Sequence, residues 1–266
     1  MRWDRRQQAM LREMGIRLWL PDAEALAPAQ PVEAARVPQR GAAVRAAEAV
    51  VEAVAAAPAS VAPVAMVATR EDLATLDASA LAARAAVCTA CALSAGRSRP
   101  VFSAGRERAD WMVVGEAPDP DDDRAGTPFA GRAGQLVANM LNAVGLPRGE
   151  AGPSPRVHLT HAVKCAPPGA RLPEPAEVAA CAAFLQRQVQ LVQPRIIVAM
   201  GRAAAQGLLG TGESVGKLRG RVHSCQGIPV IVTDAPGYLM RHPQAKAEAW
   251  DDLCLAVETV MTSRPG

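Results

Sequence analysis

The chain has 266 residues, of which 50% are hydrophobic and only 3% aromatic, and its formal net charge is +3. This length accommodates one sizeable α/β domain with appendages, and the abundant alanine and proline indicate that part of the apolar composition is low-complexity sequence. The small positive charge permits nucleic-acid binding without requiring it. No apolar run approaches the roughly 20 residues of a membrane helix, and the N-terminus lacks a signal-peptide pattern, so we expect a cytoplasmic protein.

Two appended segments precede the predicted domain. Met10, Leu11, Met14 and Leu18 recur at helical intervals before Pro21, which predicts an amphipathic N-terminal helix within residues 1–21. Residues 22–69 are rich in alanine and proline and contain no aromatic residue, which is typical of a disordered linker. The helix either packs on its own domain or docks on a protein partner.

The compact domain is predicted to span residues 70–263. Apolar runs predict strands at 111–114, 157–160, 195–200 and 228–232, and helical periodicity predicts helices at 133–146, 174–192, 203–209 and 244–261. This alternation indicates an α/β fold whose central sheet is mostly parallel, four-stranded and covered by helices on both faces.

The stretch at residues 113–136 is the predicted functional site. A buried strand there leads into a loop rich in glycine, proline and aspartate, and a helix follows. In such units ligands bind beyond the carboxyl end of the strand. The acidic run at Asp119, Asp121, Asp122 and Asp123 has a plainer interpretation, a solvated acidic loop.

The six cysteines are expected to be reduced in the cytoplasm. Cys88 and Cys91 form a C-x-x-C pair, Cys165 follows the second predicted strand, and Cys181 lies on the next helix. Four thiolates from these regions suit either zinc or an iron–sulfur cluster, and buried structural cysteines are the alternative. The remaining two, Cys225 and Cys254, are interpreted as structural.

Four segments carry a family resemblance: GEAP, TPFAGRAGQL, VKCAPPG and GYLMRHPQAKAEAWDDL. In this order, and with these cysteines, residues 69–260 resemble the family-4 (4Fe-4S) uracil-DNA glycosylases, and the N-terminal extension is similar to that of bacterial members. The resemblance implies a three-layer α/β/α fold, a monomer that acts in base excision repair, and single- or double-stranded uracil-containing DNA as partner. It also implies a 4Fe-4S cluster bound by Cys88, Cys91, Cys165 and Cys181.

The resemblance also implies roles for individual residues. Phe129 would stack on a flipped base, and Glu116 would be the catalytic carboxylate. Four other residues would complete the base pocket, namely Gly115, Ala117, Asp119 and His161. Residues of the last motif would enter the minor groove or contact phosphate, namely Pro236, Leu239, Met240 and Arg241. Further phosphate contacts are expected from Arg97, Arg99, Arg106, Arg108, Lys217, Arg219 and Arg221.

The sequence departs from the family pattern at three pocket positions. His161 replaces an asparagine that reads uracil, and Ala235 replaces a histidine that stabilises the leaving base. Asp119 replaces a glycine, and Asp234 is a candidate surrogate base. These replacements predict weak or altered excision activity. The alternative is a catalytically silent module that binds DNA or a protein partner.

Overall fold

The computed structural model describes residues 73–146 and 157–262. The predicted N-terminal helix and the whole of the predicted linker, residues 22–69, lie outside these residues and stay predictions. The strands are β1 (Ala104–Gly105), β2 (Trp111–Gly115), β3 (Val157–His161), β4 (Ile196–Met200), β5 (Val222–Cys225) and β6 (Ile228–Thr233). The helices are α1 (Ala78–Ala86), α2 (Pro120–Ala125), α3 (Arg132–Ala143), α4 (Pro175–Val192), α5 (Arg202–Leu209), α6 (Val215–Leu218), α7 (Pro236–Arg241) and α8 (Lys246–Thr262).

The strands form one sheet in the order β1-β3-β2-β4-β6-β5. The four central strands are parallel, with Val113 opposite Leu159 of β3 and Val198 of β4. The prediction of a mostly parallel sheet is confirmed, but its strand number is corrected from four to six. The two additional strands, β1 and β5, pair antiparallel at the edges. They escaped prediction because β1 has only two residues and β5 is largely exposed, so neither forms an apolar run.

Helices cover both faces of the sheet, which produces the predicted three layers. Every residue of β2 and β4 is buried, as expected for parallel strands between two helical layers. Met112 and Val114 pack toward α4 and α5, whereas Val113 and Val198 pack toward α3 and α8. The alternation of side chains along each strand therefore distributes one apolar run between two cores.

A smaller cluster attaches α1 to the outer surface of α4. Leu81 of α1 and Phe184 of α4 are almost fully buried. They belong to one apolar cluster together with Leu73 and Ala85. The side chain of Asp77 begins α1 by accepting a hydrogen bond from the backbone N–H of Ala80, at 2.8 Å. This packing brings the segment after α1, which carries the C-x-x-C pair, next to α4.

The parallel arrangement directs four strand ends to one edge of the sheet. Gly115 ends β2 and His161 ends β3, whereas Gly201 and Asp234 directly follow β4 and β6. Polar groups after these strands are therefore close in space, although they are up to 119 positions apart in sequence. Within residues 73–146 and 157–262, no helix is both long and apolar enough to cross a membrane.

Candidate functional site

A cavity of about 460 Å³ opens at the carboxyl ends of the parallel strands. The structure brings together most of the residues that the sequence placed in a site. The predicted site residues that line the cavity, with the replaced position Ala235, are Gly115, Glu116, Ala117, Asp119, Phe129, His161, Asp234, Ala235, Pro236 and Arg241.

Phe129 lies on one wall of the cavity in an unusual backbone conformation. Its φ angle is +59°, a region that a bulky residue adopts only under constraint from its surroundings. Gly134 permits this conformation, because a Cβ atom there would lie 2.8 Å from the Cα atom of Phe129. The residue is 5% exposed and lines the cavity.

Asp122 organises this wall, and the interpretation of the acidic run as a solvated loop is wrong. Asp119 is the N-cap of α2 and accepts hydrogen bonds from the backbone N–H groups of Asp121 and Asp122. The Asp122 side chain is buried and accepts from Ala130 N–H at 2.6 Å. Asp119 therefore acts as a helix cap at the cavity rim, and the run is the first turn of a helix.

His161 completes the same wall from the end of β3. Its ring centroid is 4.6 Å from that of Phe129, with the two planes tilted by 44°. Its Nε2 atom lies 2.8 Å from Oδ2 of Asp122, and both side chains are almost fully buried. Asp122 thus connects the loop that carries Phe129 with the side chain that faces it.

Glu116 lies directly after β2 and lines the same cavity. Its Oε1 atom accepts a hydrogen bond from Ala203 N–H at 3.1 Å, in the first turn of α5. Burial raises the pKa of Glu116 above the ordinary 4.5, and the N–H groups of Ala203 and Arg202 and the charge of Arg241 oppose this rise. The helix N-terminus therefore orients a carboxylate that burial makes easier to protonate.

Asp234, the candidate surrogate base, is held by another side chain. Its carboxylate lies 3.5 Å from Nη1 of Arg219, and Arg219 also pairs with Asp252 and Glu248. Burial raises the pKa of Asp234 above 3.8, although Arg219 lowers it. The prediction that Arg219 contacts phosphate is corrected, because three carboxylates already surround its guanidinium.

Helix α7 presents a different apolar edge from the one predicted. Leu239 is fully buried and Pro236 is also buried, so neither is available to enter a DNA groove. Tyr238 and Met240 are 41% and 40% exposed. The role of Met240 in DNA binding stays a prediction. Pro236 and Leu239 are corrected to packing residues, because one face of this short helix packs on α3 and the other faces solvent.

The four cysteines of the predicted cluster line a second, small cavity. Cys88 and Cys91 follow α1, Cys165 follows β3 and Cys181 lies on α4. Arg97 donates a hydrogen bond to Sγ of Cys165 at 2.9 Å, and others to the carbonyl oxygens of Ala86 and Cys88. The prediction that Arg97 contacts phosphate is therefore corrected, since its guanidinium is directed at the thiols.

The thiols are brought together without standing in liganding geometry. Among residues 73–146 and 157–262, no group of three or more His, Cys, Asp or Glu side chains forms a preorganised metal site. Burial raises the pKa of Cys165, and that of Cys181 to about 12. Metal binding would have to displace these protons, which is usual for thiolate sites. Four thiols and a nearby guanidinium around one cavity fit an anionic metal–thiolate centre.

Cys225 is buried elsewhere in the core, and neither it nor Cys254 lines this cavity, as expected of structural cysteines.

Three contributions to the large cavity were missed by sequence reasoning. Asp122 was seen only as one member of an acidic run, although its position three residues after an N-cap indicates a capping box. Gly201 has φ +100°, and a glycine between an apolar strand and a helix is a recognisable signal. Arg171 lines the cavity, and a bidentate ion pair with Glu177 holds it there. No pattern in the neighbouring sequence indicates this pair.

The chain is similar in sequence to known proteins of one superfamily. The model of the uracil DNA glycosylase superfamily matches residues 102–254. The chain is 36% identical to a type-4 uracil-DNA glycosylase of Thermotoga maritima, over 65% of the chain and 86% of that relative. It is 34% identical to one of Archaeoglobus fulgidus, over 62% of the chain and 84% of that relative. A type-5 uracil-DNA glycosylase of Thermus thermophilus is 37% identical over 42% of the chain and 55% of that relative.

Proposed function

The chain belongs to the type-4 uracil-DNA glycosylases, and we therefore propose that it is a DNA repair enzyme that hydrolyses the N-glycosidic bond of uracil in DNA. One observation carries the proposal. Glu116 and Phe129 face a single cavity of about 460 Å³ at the carboxyl ends of the parallel strands. This volume suits a nucleobase with part of its sugar, and the two side chains supply a carboxylate and a stacking surface.

Substrate binding begins with removal of the base from the duplex. A base inside the stack is inaccessible, so a glycosylase rotates it into a pocket. Phe129 would stack on the flipped base. The exposed side chains of Tyr238 and Met240 would contact the DNA at the cavity mouth. Arg241 lines the cavity, where its charge also acts on Glu116, and it would contact a phosphate of the bound DNA.

Bond cleavage leaves a cationic sugar and an anionic base. Glu116, fixed by the Ala203 N–H group, would stabilise the oxocarbenium-like sugar and orient the attacking water. The departing base would need a donor near its anionic oxygen. Ala235 provides a methyl group at the position where the family has histidine. We therefore infer that excision is about 10²–10³-fold slower than it would be with the histidine. Asp234 would not act as a free base while it pairs with Arg219.

We propose that Cys88, Cys91, Cys165 and Cys181 hold a 4Fe-4S cluster. The support is their shared cavity and the guanidinium of Arg97 beside Cys165. When bound, the cluster would join α1, the segment after β3 and α4 into one rigid surface beside the DNA. A DNA substrate and reduced cysteines both favour the cytoplasm as the compartment, and we propose that the protein acts as a monomer.

An excision assay on an oligonucleotide with one uracil tests the proposal, with protein whose iron and acid-labile sulfide are quantified. We expect release of free uracil by the full chain and a large loss in Glu116→Gln. Glu258→Gln, on the exposed side of α8, is the matched control and should excise normally. Salt-dependent DNA binding without base release, in protein with a complete cluster, would contradict the proposal and favour the silent binding module.

A further inference from the structure

Two cationic side chains lie on the wall of the small cavity that the four cysteines line. They are Arg97 and Lys164, and none of the described residues that line this cavity is Asp or Glu. Arg97 follows the C-x-x-C pair in sequence, whereas Lys164 directly precedes Cys165. The cavity therefore places two positive charges beside four groups that lose their protons when they bind a metal.

Arg97 connects two of the segments that carry the cysteines. Its Nη1 atom donates a hydrogen bond to Sγ of Cys165 at 2.9 Å. Its Nη2 atom donates to the carbonyl oxygens of Ala86, at 2.7 Å, and Cys88, at 3.1 Å. Among residues 73–146 and 157–262, no Asp or Glu forms an ion pair with Arg97. Its positive charge therefore faces sulfur and not a carboxylate.

Lys164 brings a second positive charge to the cavity from the segment after β3. The residue is 2% exposed, which is exceptional for a lysine. Its Nζ atom donates hydrogen bonds to Oγ1 of Thr160 at 2.7 Å and to the carbonyl oxygen of His161 at 2.5 Å. Both acceptors are uncharged, and no Asp or Glu in the described part of the chain forms an ion pair with Lys164. The buried ammonium thus lacks a negative partner in the polypeptide.

A buried charge without an opposite charge is costly in free energy. Hydrogen bonds to uncharged oxygens recover only part of what an ammonium loses when it leaves water. The same burial strengthens its attraction to any negative charge placed nearby, because an apolar wall, which here includes Ala85 and Phe184, screens charge poorly. An anion in the cavity would supply the missing partner of Lys164 and would also meet the charge of Arg97.

An iron–sulfur cluster bound by four thiolates is such an anion, and its net charge and the hydrogen bonds to its sulfur atoms set its reduction potential. We propose that Arg97 and Lys164 are the counter-charges of the 4Fe-4S cluster, and that they favour its retention and raise its reduction potential. This inference rests on the proposed function, which assigns the cluster to these cysteines. Reduction adds one electron, supplied by an electrode in the experiment below, and no bond or proton is gained or lost. The added negative charge is stabilised by both cations.

Protein-film voltammetry of the full chain with its cluster tests the role of Arg97. Arg97→Gln keeps an N–H donor but removes the charge, whereas Arg97→Lys keeps the charge. We expect Arg97→Gln to shift the reduction equilibrium about tenfold toward the oxidised cluster, which is about 59 mV for one electron. Arg97→Lys should shift it by less than about threefold. An unchanged potential in Arg97→Gln, or an equal decrease in both variants, would overturn the inference.

Arg84→Gln is the matched control for Arg97→Gln. Arg84 lies in the last turn of α1, close in sequence to the C-x-x-C pair, but its side chain is exposed and does not line the cavity. Water and salt screen such a charge, so the equilibrium should shift by less than about twofold. A decrease as large as that of Arg97→Gln would refute the claim that charges at the cavity wall have a special effect.

Lys164→Met tests the second cation with a side chain of similar length and no charge. The potential should decrease by at least the amount expected for Arg97→Gln, and an iron chelator should remove the cluster about tenfold faster, as followed by visible absorbance. Lys246→Met, at the exposed start of α8, is the control and should match the unaltered chain. Only protein with a full content of iron and sulfide is compared. An unchanged potential in loaded Lys164→Met would overturn its role, and the Arg97 variants decide the inference if Lys164→Met does not fold.

The inference and the proposed function fail in different measurements. Uracil release by a chain whose potential is insensitive to Arg97→Gln and Lys164→Met removes only the inference. The predicted shifts without uracil release remove only the proposed hydrolysis. Absence of iron and sulfide from the unaltered chain contradicts the proposed ligand set and this inference together.

Discussion

Gly201→Ala should disturb the catalytic carboxylate from a position outside the reacting groups. Gly201 has φ +100° and ψ 173°, a region that is essentially restricted to glycine. A Cβ atom there would lie 2.6 Å from Cγ and 2.7 Å from Oε1 of Glu116. Alanine must therefore either distort the turn into α5 or displace the Glu116 side chain from the Ala203 N–H group.

The magnitude follows from these two costs. Backbone strain of this kind costs about 1–3 kcal/mol, and a lost hydrogen bond to a charged group about 1.5–3 kcal/mol. Because the turn and the side chain share the distortion, we expect the free energy of unfolding to fall by about 2–4 kcal/mol. For a domain of this size each kcal/mol lowers Tm by about 2–4 °C. A displacement of Glu116 by about 1 Å should reduce excision roughly 10²-fold.

Thermal unfolding and single-turnover excision of uracil measure both effects. Gly210→Ala is the control, because Gly210 also has a positive φ, +68°, but a Cβ atom there meets no atom within 4 Å. It should lose only about 1–2 kcal/mol through strain and keep normal excision. The reasoning is refuted if both variants lose the same stability and Gly201→Ala excises uracil at the unaltered rate.

Three further predictions concern the same reaction and the cluster. Excision should decline on acidification at a pH above the ordinary glutamate pKa of 4.5, because the raised pKa of Glu116 leaves it protonated there, and Glu116→Gln should lack this acidic limb in a pH–rate profile. Ala235→His should increase the single-turnover rate about 10²–10³-fold, whereas Ala133→His, elsewhere on the cavity wall, should leave the rate unchanged. If Ala235→His does not increase the rate, the absence of an imidazole donor at this position is not what limits excision. Cys181→Ser should lose bound iron and sulfide and lower Tm, whereas Cys254→Ser should retain both; full iron content in Cys181→Ser would contradict the proposed ligand set.

The sequence by itself determined the sheet core and the position of the site. The strands at 111–115 and 196–200 were predictable because a parallel strand between two helical layers is buried on both faces and reads as a continuous apolar run. Glu116 and Asp234 were assigned to one site by the family resemblance, and the structure places both at one cavity because residues that follow parallel strands meet at one edge of the sheet. The edge strands could not be predicted, because two residues carry no periodicity.

Only the tertiary structure decided what the polar residues of the site do. Asp122 looked like part of a solvated acidic loop, yet its buried carboxylate is hydrogen-bonded to His161, 39 positions away. Leu239 looked available to DNA until its packing removed it from the surface. In each case the environment of a side chain depends on partners distant in sequence, whereas strand and helix formation depends on neighbours within a few residues.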